Sequence, residues 1–352
     1  MSEVVLKVRG LQKYFPLRRS LKEIFTFKPR RYVRAVDGVD FDIRLGEVFC
    51  LVGESGCGKT TTGRLITRLI EPTGGSMLYK PSAEVAAKIP KELMDKDGYV
   101  DLAQKLPKKI SKLLRREIQI VFQDPFGSLN PRMRVYDILK EPLVVHGFGS
   151  TEEERREIIY RALSEVKLIP PEEFMDRYPH MLSGGQRQRV AFARAMILRP
   201  TLVVADEPVS MLDVSIRAEI LQLMLDLQAS RNLAYLFITH DLAVASYLCT
   251  RIAVMYLGKI VEMGPSDVVI NDPQHPYTKA LLAAVPEPDP SNRLKTRNVP
   301  IKGEVPSAAE IPPGCRFHPR CLYAMDVCKR KEPPLIEVKP DHYVACWLHA
   351  KH

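Results

Sequence analysis

Four short runs along the first 285 residues are apolar almost without interruption: Glu47-Val48-Phe49-Cys50-Leu51-Val52, 118–122, 202–205 and 235–239. A strand wetted on one face alternates apolar and polar side chains. Runs that do not alternate therefore predict strands covered on both faces, as in a parallel sheet between helices. Between the runs the period changes. Ile216, Ile220, Leu223 and Leu227 recur at three- and four-residue steps and fall on one helical face. A second helix is predicted over 152–168, with Ile159, Leu163 and Val166 inward and a Glu/Arg face outward. Residues 251–264 alternate and turn at Gly258, which reads as a hairpin. These signals make residues 1–285 one α/β domain.

Two stretches depart from that pattern. Residues 81–117 are rich in lysine and poor in β-formers, and read as a helical surface insertion. From Val285 onward prolines recur at 286, 288, 290, 300, 306, 312 and 313, the mark of an extended linker lying over a surface. The expected division is 1–285 for the domain, 286–313 for the linker and 314–352 for a cysteine-rich tail. No internal repeat is evident, and no run of 18 apolar residues is long enough to span a bilayer. The first residues lack the basic and apolar regions of a signal peptide, so a cytosolic location is expected. A net charge of +10 fits an anionic ligand, nucleic acid or the inner leaflet, but an ordinary solvated surface explains it equally well.

The first chemical signal is Gly53-Glu54-Ser55-Gly56-Cys57-Gly58-Lys59-Thr60, which fits G-x-x-x-x-G-K-[ST] at every fixed position. It follows an apolar strand and precedes a helix-forming stretch at 61–70. Glycines let successive N–H groups converge on phosphate oxygens, and the helix start adds its positive end. Lys59 should neutralise the β- and γ-phosphates, and the Thr60 hydroxyl should ligate Mg²⁺. Cys57 serves as a small loop residue, with a redox-sensitive thiol as the minor reading because nearby positive charge lowers a thiol pKa.

Leu202-Val203-Val204-Ala205-Asp206-Glu207 is an apolar strand ending in two carboxylates. Neighbouring strand side chains point to opposite faces, so the two must divide the work. Asp206 suits the Mg²⁺ water shell, and Glu207 suits the general base for an attacking water. Leu182-Ser183-Gly184-Gly185-Gln186 leads into a helix, with Ser183 as its cap and two glycines leaving N–H groups open to an anion.

That pentapeptide, between a phosphate loop and an Asp-Glu strand, resembles the ABC ATPases, and the resemblance covers most of residues 4–285. It implies a P-loop NTPase fold with a RecA-like core, an antiparallel β subdomain and an α-helical signature subdomain at about 125–190. It implies further roles. Gln123 resembles the Q-loop glutamine that senses Mg²⁺ and γ-phosphate. His240 resembles the switch histidine. Ser210-Met211-Leu212-Asp213 resembles the D-loop, with Met211 where alanine is usual. Phe15 occupies the place of the aromatic against adenine, with Tyr14 as runner-up. The implied ATP contacts are then Phe15, Gly53, Ser55, Gly56, Cys57, Gly58, Lys59, Thr60, Thr61, Gln123 and His240. Glu207, His240 and Gln123 are the implied catalytic group, and Thr60, Gln123 and Asp206 the implied Mg²⁺ ligands. In this family two units dimerise head to tail, so Ser183, Gly184, Gly185, Gln186 and Asp213 would act on the partner's ATP.

Two segments narrow the branch. Phe122-Gln123-Asp124-Pro125-Phe126-Gly127-Ser128-Leu129-Asn130-Pro131-Arg132-Met133 and Asp272-Pro273-Gln274-His275-Pro276-Tyr277-Thr278-Lys279-Ala280-Leu281-Leu282 resemble the dipeptide/oligopeptide importers. The segment before Val33 and Glu71-Pro72-Thr73-Gly74-Gly75 are more similar to the F-type subunit than to the D-type. The branch implies a heterodimer with a second ATPase, two membrane permeases, an external solute-binding protein and a peripheral position on the cytoplasmic face of the membrane. The competing class, a soluble ABC protein acting on nucleic acid or ribosomes, calls for two ATPase units or a long coiled-coil insertion; neither is present, so no nucleic-acid partner is expected. A scaffold using ATP as a switch would have lost Glu207 or His240.

Of seven cysteines, four crowd the tail as Cys315-x5-Cys321-x6-Cys328-x17-Cys346, enough to close a tetrahedral zinc site or bind an iron–sulfur cluster. Tails of this kind in the importer branch resemble those carrying a [4Fe-4S] cluster, which the resemblance favours over Zn²⁺. His318, His342 and His349 read as surface or supporting residues. Cys50, Cys57 and Cys249 lie scattered along the chain.

Overall fold

A computed structural model describes residues 3–17, 19, 30–285 and 299–350. Twelve strands are formed among these residues, in chain order β1 Val4–Pro16, β2 Tyr32–Arg44, β3 Val48–Val52, β4 Gly74–Tyr79, β5 Val100–Asp101, β6 Ile118–Val121, β7 Leu202–Asp206, β8 Ala234–Thr239, β9 Arg251–Tyr256, β10 Lys259–Pro265, β11 Ile336–Lys339 and β12 His342–Val344. They make a four-stranded sheet, β2-β1-β4-β5, and an eight-stranded sheet, β11-β12-β10-β9-β3-β8-β7-β6. The first is antiparallel throughout. In the second, β9-β3-β8-β7-β6 run parallel, and β9, β10, β12 and β11 pair antiparallel in turn.

The uninterrupted apolar runs have the predicted cause. Along β3, Val48, Cys50 and Val52 enter one core, while Phe49 and Leu51 enter another. Tyr235 and Phe237 of β8 join the first, and Leu236 and Ile238 join the second. Each face of the sheet thus has its own hydrophobic layer, which is why the central strands run apolar through consecutive positions rather than alternating.

The first core continues into the helices Val135–His146, Glu152–Glu165, Pro171–Met175 and Gly184–Met196. Thr151 and Glu154 close a reciprocal capping box that starts Glu152–Glu165, and Ile159, Leu163 and Val166 are all buried. Ile220, Leu223 and Leu227 are buried on the helix Val214–Arg231. The hairpin turns through Leu257 and Gly258, both at positive φ.

Residues 81–117 correct the expectation of a helical surface insertion. They hold the helices Ala83–Ala86 and Lys108–Glu117, and β5 pairs with β4 between them. Val85, Ile89, Val100, Leu102, Ile110 and Leu114 are buried in the second core. A two-residue strand is too short to leave a period in the sequence. The expected helix at 61–70 spans Lys59–Ile66. Part of the expected linker, 286–298, lies outside the described residues. Beyond it, the Ala308 carbonyl accepts the Arg34 N–H and Lys302 donates to the Arg320 carbonyl, so this stretch lies along the domain.

The tail contributes to the main sheet. β12 pairs with β10, and β11 with β12. His342 is fully buried, which leaves the supporting reading and removes the surface one, and its Nε2 lies 2.7 Å from Glu262 Oε1. Cys50 and Cys249, scattered in the sequence, meet in the fold. They are 199 positions apart yet meet sulfur to sulfur, with Cα atoms 6.0 Å apart, a span that a disulfide allows. No helix among the described residues is long and apolar enough to cross a membrane.

Candidate functional site

β3 ends in the glycine loop, and the helix Lys59–Ile66 begins at its last residues. Gly58 has φ +112°, and a Cβ there would lie 2.2 Å from the Ala35 carbonyl oxygen, so only glycine fits. The loop curls around Lys59, whose Nζ donates to the carbonyls of Gly53 at 2.6 Å and Glu54 at 3.0 Å. Cys57 is buried beneath it. Burial pushes its thiol up against the opposing pull of Lys59, which corrects the reading of a charge-activated thiol.

Over the loop opens a cleft of about 610 Å³, lined by Ser55, Gly56, Gly58, Lys59, Thr60, Thr61, Gln123, Glu207 and His240 among others. β6 and β7 deliver Gln123 and Glu207 side by side, because the two strands are paired in the parallel sheet. Gln123 Nε2 donates to Glu207 Oε2 at 3.1 Å, and His240 Nδ1 lies 3.1 Å from the same oxygen. Three residues from separate parts of the chain therefore meet on one carboxylate. Glu207 holds φ +46°, a backbone conformation that non-glycine residues adopt only at a cost of order 1–3 kcal/mol. Its carbonyl accepts the Ser210 N–H and hydroxyl, and its N–H donates to the Ile238 carbonyl, which holds the strained turn.

Behind Glu207, Asp206 is nearly buried and accepts a hydrogen bond from the Thr60 hydroxyl at 2.9 Å. Burial raises the Asp206 pKa, and the Thr60 bond opposes that. Two oxygen donors already converge here beside Gln123, a set whose hardness suits Mg²⁺.

Other expected residues lie elsewhere. Phe15 is exposed near the end of β1, opposite Val33, and does not line the cleft. Ser183 caps the helix Gly184–Met196 in a reciprocal box: its hydroxyl accepts the Gln186 N–H, and the Gln186 side chain accepts the Ser183 N–H. The Gln186 side chain is thereby engaged within its own helix start. Gly185 packs so close to Ile216 that a Cβ would come within 2.6 Å of its Cγ2. Asp213 stands at the residue before Val214–Arg231, with no capping bond from its side chain. None of these signature residues lines the cleft of their own chain.

In the tail, Cys315, Cys321, Cys328 and Cys346 line one small cavity with Phe317 and Trp347. Burial pushes the Cys315 thiol up to about 12 and Cys346 up to about 11, and each is raised further by its cysteine neighbours. Among the described residues no three His, Cys, Asp or Glu side chains converge as for a single bound metal ion. Four cysteine thiols are also the donor set that an iron–sulfur cluster uses.

The sequence offered no signal for the contact of Arg320, which forks onto Glu54 of the glycine loop from 266 positions away, or for that of Tyr277, part of the branch segment, whose hydroxyl accepts the Glu54 N–H at 2.9 Å. Neither lies in a periodic or catalytic motif.

Residues 36–210 match the ABC transporter family, and residues 261–328 match the oligopeptide/dipeptide transporter C-terminal region. The chain is 44% identical over 348 residues to the oligopeptide transport ATP-binding protein AppF of Bacillus subtilis, covering 99% of this chain and 98% of that protein. It is 43% identical over 343 residues to the dipeptide transport ATP-binding protein DppF of Haemophilus influenzae, covering 97% and 96%. Among solved structures, a dimeric post-hydrolysis state of the ATP-binding cassette MJ0796 bound to ADP and Pi aligns with TM-score 0.58 at 26% identity, over 74% of this chain and 98% of that one. CbiO1 of Clostridium perfringens, part of the ABC transporter complex cbiONQ, aligns with TM-score 0.58 at 25% identity, over 77% and 92%.

Proposed function

The chain belongs to the ATP-binding subunits of the ABC-type oligopeptide/dipeptide importers, and from that premise we propose how its own residues divide the work. It binds and hydrolyses ATP, and hydrolysis energises peptide import.

In this reading the glycine loop cradles the triphosphate, with Gly53, Ser55, Gly56, Cys57, Gly58 and Thr61 contributing loop and helix-start N–H groups and Lys59 the countercharge. Bound Mg²⁺, held by Thr60, Asp206 and Gln123, would neutralise charge on the β- and γ-phosphate oxygens. Glu207 accepts a proton from water lined up on the γ-phosphate, and His240 and Gln123 keep its carboxylate aimed. Phe15 lies against adenine once nucleotide is bound. Ser183, Gly184, Gly185, Gln186 and Asp213 close over the ATP of a partner subunit. Their absence from the chain's own cleft, while Ser183 lies exposed and Gly184 half-buried at a helix start, supports that assignment.

The subunit is read as F-type, paired with a second ATPase against two permeases and an external binding protein, at the cytoplasmic face of the membrane. Residues 1–285 are the catalytic domain, 286–313 the connector and 314–352 a tail holding a [4Fe-4S] cluster on Cys315, Cys321, Cys328 and Cys346. The shared four-sulfur cavity supports the cluster.

One observation carries the catalytic reading: Gln123 and His240 both meet Glu207 at 3.1 Å at the rim of the phosphate loop. Glu207→Gln should keep ATP-driven dimerisation and lower turnover by about 10²–10⁴-fold, the usual loss for a positioned general base. Steady-state ATPase assays with the reconstituted transporter decide it, and near-normal turnover removes Glu207 from the role.

A further inference from the structure

We propose that the segment 315–321 of the tail presets the nucleotide cleft, with Arg320 acting as a positioning residue on the phosphate loop through Glu54; this rests on the cleft being the ATP site.

Glu54 occupies a variable position of the loop, where phosphate binding requires no carboxylate. Yet its carboxylate receives a forked pair of bonds from Arg320, Nη1 to Oε2 at 2.6 Å and Nη2 to Oε1 at 3.0 Å. The Arg320 side chain is only 7% exposed and that of Glu54 29%, so the fork is partly shielded from water. A planar fork on a carboxylate fixes orientation as well as distance, which a flexible cation does not. The backbone of Glu54 is held as well. Its N–H donates to the Tyr277 hydroxyl, and its carbonyl accepts from Lys59 Nζ. The residue that Arg320 grips is therefore one bond from the lysine assigned to the phosphates.

The neighbouring tail residues act on the same region. Phe317 packs against Tyr277 with ring centres 5.4 Å apart and edge-on against Tyr256 at 5.3 Å, which backs the hydroxyl that holds Glu54. Arg316 pairs with Asp37 and donates to the Leu257 carbonyl, and the Tyr14 hydroxyl donates to the same Asp37. Tyr14 adjoins Phe15 on β1. One short segment, bounded by Cys315 and Cys321, thus braces both the phosphate loop and the strand bearing the adenine-side aromatic. Whatever orders those two sulfurs also orders the brace, so the state of the tail is transmitted to ATP affinity.

The test measures the dissociation constant of a fluorescent ATP analogue on the full chain, with KM and kcat on the assembled transporter. Arg320→Ala should weaken binding roughly tenfold, the scale of a charge-assisted bond, and raise KM while leaving kcat near parental. Arg320→Lys should recover part of the loss. Glu54→Ala should match Arg320→Ala, and the double variant should be no weaker than either single one, because both remove the same contact. Cys321→Ser should weaken binding in the same direction. Parental affinity in Arg320→Ala or Cys321→Ser, or additive losses in the double variant, overturns the proposal. Should Arg320→Ala fail to fold, Glu54→Ala leaves the tail's own residues intact and decides alone. Lys59→Ala is the control: if it binds like the parent, the reading of the cleft fails, and not the role of Arg320.

Discussion

Glu207 illustrates how a single side chain can be chemically apt and conformationally costly at once. Its positive φ is tolerated because Ser210 and Ile238 bind its backbone, and the turn aims the carboxylate toward Gln123 and His240. Cys57 is the opposite case, a residue whose neighbours suggest reactivity that its burial removes. With the thiol nearly buried and its pKa raised by desolvation, iodoacetamide at pH 8 should modify Cys57 at least about tenfold more slowly than an exposed cysteine. Peptide mass spectrometry over a labelling time course checks this, and labelling as fast as a free thiol contradicts it. The glycine template was readable from sequence because its demands are local. The burial of Cys57 depends on chain that arrives from elsewhere, and it removes the minor reading of a reactive thiol that nearby charge had left open.

Among the elements, the parallel strands were the most legible, because burial on both faces leaves its mark on every consecutive residue. β5 was not legible, since Val100 and Asp101 become a strand only by pairing with Leu78 and Tyr79. The segment around His275 carries its own pH dependence. Its Nδ1 accepts the Tyr277 N–H and the ring is buried, so it stays neutral; burial takes its pKa down to about 4, with His349 assisting and Glu262 opposing. The folded value lies below the unfolded one. The stability that depends on a neutral ring is therefore complete above pH about 6.5 and is lost as pH falls toward about 4, by up to roughly 3 kcal/mol. Melting temperatures from pH 7 to 4.5 should fall more steeply for the parent than for His275→Asn, which keeps an acceptor for Tyr277. Parallel curves for the two would contradict this.

Over the entire chain, the tail is built into the catalytic domain. β12 extends the main sheet beyond β10, His342 pairs with the buried Glu262, Arg316 pairs with Asp37 of β2, and Arg320 reaches Glu54 at the cleft. Anaerobically purified protein should contain about four iron and four sulfide per chain, with visible charge-transfer absorbance. A stoichiometric zinc with no visible band would replace the cluster with a tetrathiolate site. Loss of the metal group should also weaken the nucleotide analogue, because the sulfurs flank the arginines that brace the loop.

The order of residues alone was enough to identify the phosphate loop, the Asp206-Glu207 strand end, the Ser183 helix start and the spacing of the four cysteines. In each case the chemistry depends on neighbours within a few positions, so the information is contiguous. Folding in three dimensions was needed to bring Gln123 and His240 onto Glu207, to show that the signature residues do not line their own chain's cleft, and to set Arg320 on Glu54. Those contacts join residues tens to hundreds of positions apart, and no local period or spacing records which distant side chains a folded sheet will set side by side.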